Sequence, residues 1–507
     1  MEFTLKGDYF TGQFTYPEGM SENDVNASDE VIEKVCPANT EQKLWKAGIQ
    51  YKNTEKVIES AISGFDLWRK MPLEDRVEYL QAFQEAAHKR KDDIGYAIAM
   101  ETGKPLWEAK TEAGAIVAKV NVTISDSKDR IQKETITNVL PKINGHTLKK
   151  PIGPSLVIGP FNFPCHLANG QILAALLTGN SIIFKPSEKT IYSAQLLMEC
   201  FHEAGFPAGV INFINGTVKT TQDIIKHPSI KGIFFTGSLG VGKKIIETVG
   251  SDLTKLVALE LGGKNVTILH EDTDIDHALP ELVRSCFLTS GQRCTSTSLI
   301  AIHRNIQDEF IEKFIEVAKR IIMDHPVDFD EIPFMGPLID QAALDKYNEF
   351  LDMAEKNGAK LLLGPKDFEI PKNGFFAAPS IHLLDEAKKS NPFTQEEVFG
   401  PNCCFIPYDT IEEAIEIANI SDYGLASSVF TQDIEIYELC LRDIDAGLIN
   451  LNRSTVGASS RLPFGGVKNS GNYHPAAVSM VDHTVSTVSS LETLDNSSSI
   501  DEIKGLK

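Results

Sequence analysis

The chain lacks three features that would place it among secreted, zinc-binding or membrane-spanning proteins. Its eight cysteines include no Cys-x-x-Cys pair and no Cys/His cluster with zinc spacing, so we expect free thiols and no metal site. No apolar run reaches the ~18 residues that a membrane span needs. The stretch MEFTLKGDYFTGQF carries charges and turn residues where a secretory signal would be apolar. These absences together predict a cytoplasmic protein with reduced cysteines.

Basic charge is also scarce. The chain holds 49 Lys and Arg against 70 Asp and Glu, which gives a net charge of −21. A surface this acidic repels phosphate backbones, and we therefore expect no nucleic-acid partner. A length of 507 residues with 42% hydrophobic residues exceeds one ordinary core and predicts two or three domains.

Alternation of helical and apolar segments predicts an α/β fold. The first 50 residues show no regular pattern. Apolar residues at three- and four-residue spacing predict helices over 55–71, 73–100, 105–126, 191–204, 241–249, 307–322 and 341–356. Short apolar runs predict strands at 155–159, 181–186, 210–214, 232–237, 255–263 and 265–269. This order is typical of a parallel sheet with helices on both faces.

Two segments depart from that alternation. Segment 132–150 predicts two strands joined by a turn at Asn144-Gly145. Near the end, 478–490 is rich in Val, Thr and Ser and predicts a strand, and the polar stretch 492–507 predicts an exposed tail.

A glycine-rich turn follows the apolar run GIFFTG. Gly237 and Gly242 nearly match a P-loop, but Lys244 stands where that loop needs a Ser or Thr for magnesium. Backbone N–H groups at a strand-to-helix turn bind phosphate, so the turn is a candidate phosphate site. A tight turn without a ligand is an equal alternative.

Polar residues also follow two other predicted strands. Asn162 follows a Gly-Pro turn, where its side-chain amide can donate to a developing oxyanion; a turn-forming Asn is the commoner interpretation. Lys185 and Glu188 follow the next strand, at the edge where parallel sheets bind ligands, and Glu188 can bind ribose hydroxyls. The alternative for this pair is a solvated loop.

Glu260 and Cys294 are candidates for a base and a nucleophile. Glu260 interrupts an apolar strand, and partial desolvation there would raise its pKa into the range of a general base; a salt-bridged Glu is the alternative. Cys294 follows a turn at Ser290-Gly291 that we expect to lead into a helix and to expose a stabilised thiolate. Cys286, within an apolar helical stretch, is interpreted as structural. The set fits acyl chemistry with a dinucleotide.

Seven motifs in order resemble the aldehyde dehydrogenase superfamily from about residue 5 to 490. They are GPFNFP (159–164), IFKPSE (183–188), FTGS (235–238), LELGGKN (259–265), GQRCTS (291–296), EEVFGP (396–401) and LPFGG (462–466). The resemblance implies a Rossmann-like NAD-binding domain, an α/β catalytic domain and a β-hairpin for oligomerisation. The corresponding boundaries are 1–131 with 151–259, then 260–452, and the strands at 132–150 and 474–490.

The resemblance also implies the catalytic roles. Cys294 would be the nucleophile, and Asn162 with the backbone N–H of Cys294 would form the oxyanion hole. Glu260 would activate the water that hydrolyses the thioester, and Phe464 would line the aldehyde tunnel. The order of events would be thiolate attack, hydride transfer to NAD⁺ and deacylation by water.

Matching positions imply the NAD contacts as well. Lys185 and Glu188 would bind the adenosine ribose, and Glu188 favours NAD over NADP because a carboxylate repels a 2′-phosphate. The other cofactor-binding residues would be Ser238 at the pyrophosphate, Gly237 and Gly242 in its turn, Glu397 at the nicotinamide ribose and Phe399 near the nicotinamide.

Within the family, the chain resembles most the branch that oxidises N-succinylglutamate 5-semialdehyde in arginine catabolism. The resemblance rests on METGKPLWEAKTE (100–112), FLTSGQRCT (287–295) and the C-terminal NLNR…LPFGGVKNSGNYHP. The chain departs from this branch at Phe161, Leu239, Arg453, Ser454 and Arg461. Because the substrate carries carboxylates, Arg453 and Arg461 are candidate substrate residues, and surface or interface arginines are an equal alternative.

Three other functions compete with this one. A dehydrogenase of another small semialdehyde would use the same mechanism. An inactive scaffold is disfavoured because Cys294, Asn162 and Glu260 are all present, and a P-loop NTPase is disfavoured by Lys244. The exposed edges of the predicted hairpin favour a homodimer or homotetramer, since a lone sheet edge invites pairing.

Overall fold

The computed structural model describes residues 2–16, 19, 25, 27–495 and 504–505. The strands are, in chain order, β1 (Tyr9–Phe10), β2 (Gln13–Phe14), β3 (Glu30–Cys36), β4 (Asn39–Ile49), β5 (Glu134–Leu140), β6 (Ile143–Pro151), β7 (Ser155–Ile158), β8 (Ile182–Lys185), β9 (Ile211–Phe213), β10 (Gly232–Thr236), β11 (Leu256–Glu260), β12 (Asn265–Leu269), β13 (Thr297–His303), β14 (Lys360–Leu363), β15 (Ser380–Leu383), β16 (Asn402–Tyr408), β17 (Tyr423–Gly424), β18 (Ala426–Phe430), β19 (Leu448–Leu451), β20 (Pro463–Phe464), β21 (Val467–Lys468), β22 (Ala476–Ala477) and β23 (Val485–Thr493).

Helices connect most of these strands. They are α1 (Asn53–Trp68), α2 (Leu73–Thr102), α3 (Leu106–Ser127), α4 (His166–Leu177), α5 (Ile191–Glu203), α6 (Val218–Lys226), α7 (Leu239–Val249), α8 (Ile275–Phe287), α9 (Gln307–Ala318), α10 (Gln341–Lys356), α11 (Pro392–Gln395), α12 (Ile411–Ala418) and α13 (Ile434–Asp443). The predicted helices are confirmed, although the one predicted over 55–71 ends at Trp68 and the one predicted over 307–322 ends at Ala318.

Two seven-stranded sheets form the body of the protein. The first has the order β11-β10-β7-β8-β9-β1-β2 and is parallel from β11 to β9, with β1 and β2 antiparallel at one edge. The second has the order β14-β15-β16-β13-β12-β18-β19, and only its edge strand β14 is antiparallel. The predicted α/β class and the predicted parallel strands are therefore confirmed.

Both faces of each sheet are covered, and the side chains alternate between them. In β7, Leu156 packs into the core under α1, α6 and α7, whereas Val157 packs into the core under α2 to α5. In β13 of the second sheet, Leu299 and Ile300 also enter opposite cores. Successive side chains of a strand point to opposite faces, so a strand buried on both faces reads as a continuous apolar run.

The prediction that the first 50 residues lack regular structure is wrong. β3 and β4 form an antiparallel hairpin, and β1 pairs with β9 at the edge of the first sheet. The strands β1 and β2 have two residues each, too few for alternation to show in the sequence. In β3 and β4 most residues stay at least partly exposed, so charges interrupt the apolar pattern.

The hairpin at 132–150 is present, but its turn is not at Asn144-Gly145. Leu140 pairs with Ile143, so the turn lies between them, and Lys142 takes the left-handed conformation at φ +64°. Asn144 lies inside β6, where its side chain accepts a hydrogen bond from the Asn138 N–H at 3.2 Å. The amide of Asn144 therefore supports the hairpin from within the strand.

The C-terminal segment completes this small sheet. The strand predicted over 478–490 is only partly correct, because 478–483 form a 3-10 helix whose apolar side chains are buried, and β23 begins at Val485. β23 pairs along the whole of β6, which gives the order β23-β6-β5. Of the predicted tail at 492–507, the first two residues belong to β23 and most of the rest lies outside the described residues. No helix in the described ranges is long and apolar enough to cross a membrane.

Candidate active site

A cavity of about 660 Å³ lies at the carboxyl ends of β7, β8, β10 and β11 and reaches the loop before β13. Parallel sheets bind ligands at this edge. The cavity is lined by most of the predicted site residues, namely Asn162, Lys185, Glu188, Gly237, Ser238, Glu260, Cys294, Glu397 and Phe399. The sheet topology thus brings to one cavity side chains that are far apart in the sequence.

The loop that carries Cys294 is held in an unusual backbone conformation. Thr289 and Ser290 take left-handed φ values of 56° and 55°, which non-glycine residues adopt only when their surroundings enforce it. The Ser290 hydroxyl donates to the Gly336 carbonyl at 2.6 Å, and Asn265 donates to the Cys294 carbonyl at 2.7 Å. The loop leads into the strand β13 and not into a helix, so the helix predicted to stabilise a thiolate is absent at this point.

The thiol of Cys294 is half-buried and strongly biased toward its protonated form. Burial, followed by the negative charges of Glu260 and Glu397, raises the pKa of the Cys294 thiol to about 12. Arg293 opposes this shift. A thiolate on Cys294 therefore needs a base nearby at the moment of attack.

Glu260 ends β11 beside that thiol. Burial raises the pKa of its carboxyl to about 8, against a backbone hydrogen bond from Gly466. Its Oε1 has no hydrogen-bond partner among the described residues. A buried carboxyl with a free oxygen and a pKa near neutrality is suited to take up and release protons.

The Ser-Gly-Asn run at 470–472 packs along the Glu260 strand. Leu261 donates to the Ser470 carbonyl at 2.9 Å, and Asn472 donates to the Leu259 carbonyl at 3.1 Å. Gly471 has φ +148°, and a Cβ there would overlap the Leu259 carbonyl. A glycine is required for this close approach, which fixes the backbone on either side of Glu260.

Asn162 lies in the loop after β7 and is buried. Its amide donates one hydrogen bond to the Gln292 carbonyl at 2.9 Å, which ties it to the cysteine loop. Because an amide nitrogen has two donors, the second remains for a ligand oxygen. Asn162 and Cys294 thus lie on two loops that are hydrogen-bonded to each other.

A buried ion pair between Lys104 and Glu112 holds the loop that carries Asn162. Lys104 donates to the Asn162 carbonyl at 2.5 Å and pairs with Glu112 at 2.9 Å. The Glu112 carboxylate also accepts the backbone N–H groups of Cys165 and His166 at 3.1 Å, at the start of α4. Glu112 therefore acts as the N-terminal cap that the first residues of α4 do not provide themselves.

A second ion pair fixes the cysteine loop to the same helix, α3. Glu108 pairs with Arg293 at 2.6 Å and accepts the Thr289 N–H at 3.2 Å. Burial works to raise the pKa of Glu108, but the cations Arg293 and Lys104 and the Thr289 hydroxyl outweigh it and lower that pKa. Four residues of these contacts were not among the predicted site residues, although all lie within the motifs quoted above: Lys104, Glu108, Glu112 and Asn265.

The far end of the cavity has the donors and shape for a dinucleotide. Ser238 precedes α7 in an extended conformation, so the first N–H groups of that helix face the β10–α7 turn. A Cβ at Gly242 would overlap Leu261, so this glycine allows close helix-to-strand packing, although Gly242 itself does not line the cavity. The Nζ of Lys185, at the end of β8, lies 3.9 Å from the Oε2 of Glu188 in the loop that follows. This donor set fits a phosphate and ribose hydroxyls.

Glu397 and Phe399 line the cavity between that end and Cys294. The Gly263 N–H donates to the Glu397 carboxylate at 3.0 Å. Burial raises the pKa of the Glu397 carboxyl to about 6. A Cβ at Gly262 would overlap this carboxylate, so the glycine leaves the space that Glu397 uses. Phe399 takes φ +56° and packs edge-on against Phe161 with ring centroids 5.8 Å apart.

The three residues predicted for the substrate do not line this cavity in the described structure. Phe464 lies in β20, paired with Ala476. Arg461 is exposed and pairs with Asp126 at 2.7 Å, and Arg453 is exposed. No group of three or more His, Cys, Asp or Glu in the described part of the chain could hold a metal ion.

Comparison with known proteins identifies a family. The model of the aldehyde dehydrogenase family matches residues 25–488. N-succinylglutamate 5-semialdehyde dehydrogenase from Novosphingobium aromaticivorans is 36% identical over 453 residues, which cover 89% of this chain and 94% of the relative. The protein of that name from Legionella pneumophila is 34% identical over 493 residues, covering 96% and 95%.

Solved structures of similar fold include enzymes with different cofactors. The 1-pyrroline-5-carboxylate dehydrogenase from Thermus with bound NAD superposes with a TM-score of 0.87 at 27% identity, covering 96% of this chain and 93% of that one. Betaine aldehyde dehydrogenase from Staphylococcus aureus in complex with NAD⁺ gives 0.89 at 26% identity, covering 99% and 97%. An NADP-dependent enzyme from E. coli also gives 0.89 at 26% identity, covering 97% and 99%.

Proposed function

Because the chain belongs to the aldehyde dehydrogenase family, we propose that it oxidises N-succinylglutamate 5-semialdehyde to N-succinylglutamate with NAD, through a thioester on Cys294. The observation that carries the mechanism is the meeting of Cys294, Asn162 and Glu260 at one cavity. The named relatives, at 34% to 36% identity over most of their length, support the substrate.

The first half of the reaction forms the thioester. Glu260 accepts the proton of the Cys294 thiol, and the thiolate attacks the aldehyde carbon to form a C–S bond. The aldehyde oxygen becomes negatively charged and accepts hydrogen bonds from the free amide N–H of Asn162 and the backbone N–H of Cys294. When bound, the nicotinamide of NAD supplies the acceptor for the hydride that this carbon loses. Loss of the hydride leaves a thioester on Cys294.

The second half releases the acid. Glu260 first releases the thiol proton to solvent, and a water then attacks the thioester carbon while the Glu260 carboxylate takes a proton from that water. The C–S bond breaks, the carboxylic acid leaves, and the departing Cys294 thiolate takes the proton back from Glu260. The Oε1 of Glu260 has no hydrogen-bond partner among the described residues, so it can accept a hydrogen bond from the attacking water. This supports the role of its carboxylate as the base.

NAD is supported over NADP by the end of the cavity that would hold the adenosine. Glu188 is exposed there beside Lys185, and its carboxylate can accept ribose hydroxyls but repels a 2′-phosphate. Two similar structures contain NAD, although another is named as NADP-dependent. We propose that Ser238 and the N-terminus of α7 hold the pyrophosphate and that Glu397 and Phe399 hold the nicotinamide riboside.

The small sheet β23-β6-β5 supports a homodimer or homotetramer. β5 is an edge strand whose residues are all exposed, and Ile136, Val139 and Leu140 are among them. An apolar edge of this kind is normally covered by another chain. Light scattering of the purified protein tests the proposal, and a monomer at micromolar concentration would contradict it.

The proposed reaction is tested by NADH formation with N-succinylglutamate 5-semialdehyde, succinic semialdehyde and glutamic semialdehyde. We expect the succinylated aldehyde to give the highest kcat/KM. Cys294→Ala should lower turnover by about 10⁴-fold or more while NAD still binds in calorimetry. Cys286→Ala, which changes a buried cysteine of α8, is the matched control and should stay within about twofold. Full activity of Cys294→Ala would contradict the mechanism.

A further inference from the structure

Lys119, on α3, has a buried ammonium group without a countercharge. Its side chain is 7% exposed, and its hydrogen bond is to the Ser460 hydroxyl at 3.0 Å. No carboxylate in the described ranges lies within ion-pair distance. Burial lowers the pKa of Lys119 to about 8, so the group still carries its charge at neutral pH. An isolated buried charge is costly unless something pairs with it.

The ammonium lies next to the helix that begins at the active site. A Cβ at Gly170 of α4 would lie 2.8 Å from the Lys119 Cε, so the missing side chain leaves room for the lysine stem. His166, at the start of the same helix, is four residues after Asn162. Burial and then the charges of Lys119 and Lys104 lower the pKa of His166 to about 3, so the ring is neutral at pH 7.

A second segment connects Lys119 with Glu260. Its partner Ser460 and the Gly466 N–H that reaches the Glu260 carboxyl are six residues apart on one segment. Six residues span at most ~20 Å even when extended. Phe464 and β20 lie between them. Neither Lys119 nor His166 lines the cavity at Cys294 in the described structure, but Lys119 is flanked by two segments that lead to the oxyanion donor and to the base.

We propose that Lys119 determines substrate specificity by binding a carboxylate of the aldehyde through its ammonium group, with the His166 ring as a second donor. The inference rests on the proposed function, because it assigns a receptor for a carboxylate to that same site. N-succinylglutamate 5-semialdehyde carries one carboxylate on its α-carbon and another at the end of the succinyl arm, and either can satisfy the ammonium.

Donor chemistry supports this assignment. A lysine ammonium has three donors and Ser460 uses one, so two remain for a carboxylate. The Nδ1 of His166 is buried and has no partner within the described part of the chain, so a neutral ring can donate from it. Hydrogen bonds between an ammonium and a carboxylate are among the stronger ones in proteins. Arg461, the neighbour of Ser460, already has a countercharge in Asp126.

The alternative role for Lys119 is to hold the Ser460 segment against α3. Three variants separate the two roles. Lys119→Met removes the charge and keeps the stem, Ser460→Ala removes the hydrogen bond and keeps the charge, and Lys110→Met changes an exposed lysine of the same helix as the matched control. Each is assayed with N-succinylglutamate 5-semialdehyde, succinic semialdehyde and the uncharged hexanal.

We expect Lys119→Met to lower kcat/KM for the succinylated aldehyde about 10²-fold, mainly through KM, and to leave hexanal within about twofold. Ser460→Ala and Lys110→Met should change neither by more than about threefold. Calorimetric binding of the product N-succinylglutamate should weaken in Lys119→Met by a similar factor, which gives a readout independent of turnover.

Equal loss of both aldehydes in Lys119→Met, or the same selective loss in Ser460→Ala, would overturn the proposal. Failure of the proposed substrate has a different signature. If the wild-type protein oxidises other aldehydes but not the succinylated one, the ratio of succinic semialdehyde to hexanal still reports on Lys119. A ratio that falls in Lys119→Met supports the carboxylate receptor, and an unchanged ratio refutes it.

Discussion

Glu112 and Glu260 are both buried carboxyls near the Asn162 and Cys294 loops, and they differ in how many hydrogen-bond and ion-pair partners they have. Glu112 pairs with Lys104 at 2.9 Å and accepts two backbone N–H groups at the start of α4. Glu260 has an oxygen without a partner among the described residues, and its pKa is raised to about 8. A buried carboxylate with both oxygens hydrogen-bonded holds geometry, whereas one with an unpaired oxygen is free to exchange protons.

The same difference is repeated along α3. Its first half carries Glu108 and Glu112, whose ion pairs hold the Cys294 and Asn162 loops. Its second half carries Lys119, whose ammonium donates to the Ser460 hydroxyl and has no carboxylate within ion-pair distance among the described residues. We infer that the paired groups position the site and that the unpaired groups act on substrate. Substitutions should therefore separate effects on stability from effects on turnover.

Among the variants that test this comparison, Glu260→Gln should have the largest effect. Without the base, water attack on the thioester slows and steady-state turnover should fall about 10³-fold. The first NADH equivalent should also form more slowly than in the wild type, because Glu260 accepts the thiol proton, but it should still appear as a burst ahead of the slower steady phase. Stopped-flow NADH absorbance measures both phases, and a steady phase that keeps the wild-type rate would contradict the role of Glu260 in the second half.

Glu112→Gln should act on the fold. Its partner Lys104 would be left as an unpaired buried charge, which destabilises by about 3 kcal/mol and lowers the midpoint of thermal unfolding. The double variant Lys104→Met/Glu112→Leu removes both charges and should recover part of that loss. If Glu260→Gln destabilised the protein as much as Glu112→Gln, the distinction between paired and unpaired carboxyls would fail.

A smaller effect is expected from pH. Only the carboxylate form of Glu260 can accept a proton, and its pKa of about 8 means that this form is depleted at lower pH. Steady-state kcat should rise with pH up to about 8, approaching tenfold per unit on the acid side. In Glu260→Gln this rise should disappear. A wild-type kcat that stays flat between about pH 6 and 8, where this carboxyl titrates, would contradict the assignment.

The smallest effect is expected from Arg461→Met. Its guanidinium is exposed and already paired with Asp126, so its loss should change kcat/KM for the succinylated aldehyde by less than about twofold. Lys119→Met is the comparison, with its larger and selective loss. A loss in Arg461→Met that equals the one in Lys119→Met would restore Arg461 as a substrate residue.

Continuous apolar runs made the parallel strands predictable. β7, β8, β10 and β12 are buried on both faces, so their sequences carry the signal of a strand without any tertiary information. The collinear motifs then named the cavity residues, because strand ends of a parallel sheet meet at one edge. The prediction of a turn at Asn144-Gly145 was wrong because Lys142 takes the left-handed conformation instead. A lysine gives no sign of that conformation in the sequence.

The residues that sequence reasoning missed depend on distant partners. Ser460 lies 341 positions from Lys119, and Asn162 lies 58 positions from Lys104. Lys119 could be preferred over Arg461 as a substrate residue only once the structure showed that Lys119 is buried and Arg461 exposed. The sequence around α3 shows only an ordinary amphipathic helix. Pairing of buried charges is a property of the assembled fold, so it could not be read from local patterns.

The most direct test of the account is the mass of the Glu260→Gln protein after mixing with the aldehyde and NAD. The account predicts an acyl adduct of the mass expected for a thioester of N-succinylglutamate, located on Cys294 by peptide mapping. The adduct should be absent from the double variant Cys294→Ala/Glu260→Gln. Steady-state turnover without any adduct, or an adduct that persists in the double variant, would contradict the claim that Cys294 and Glu260 share the reaction in this way.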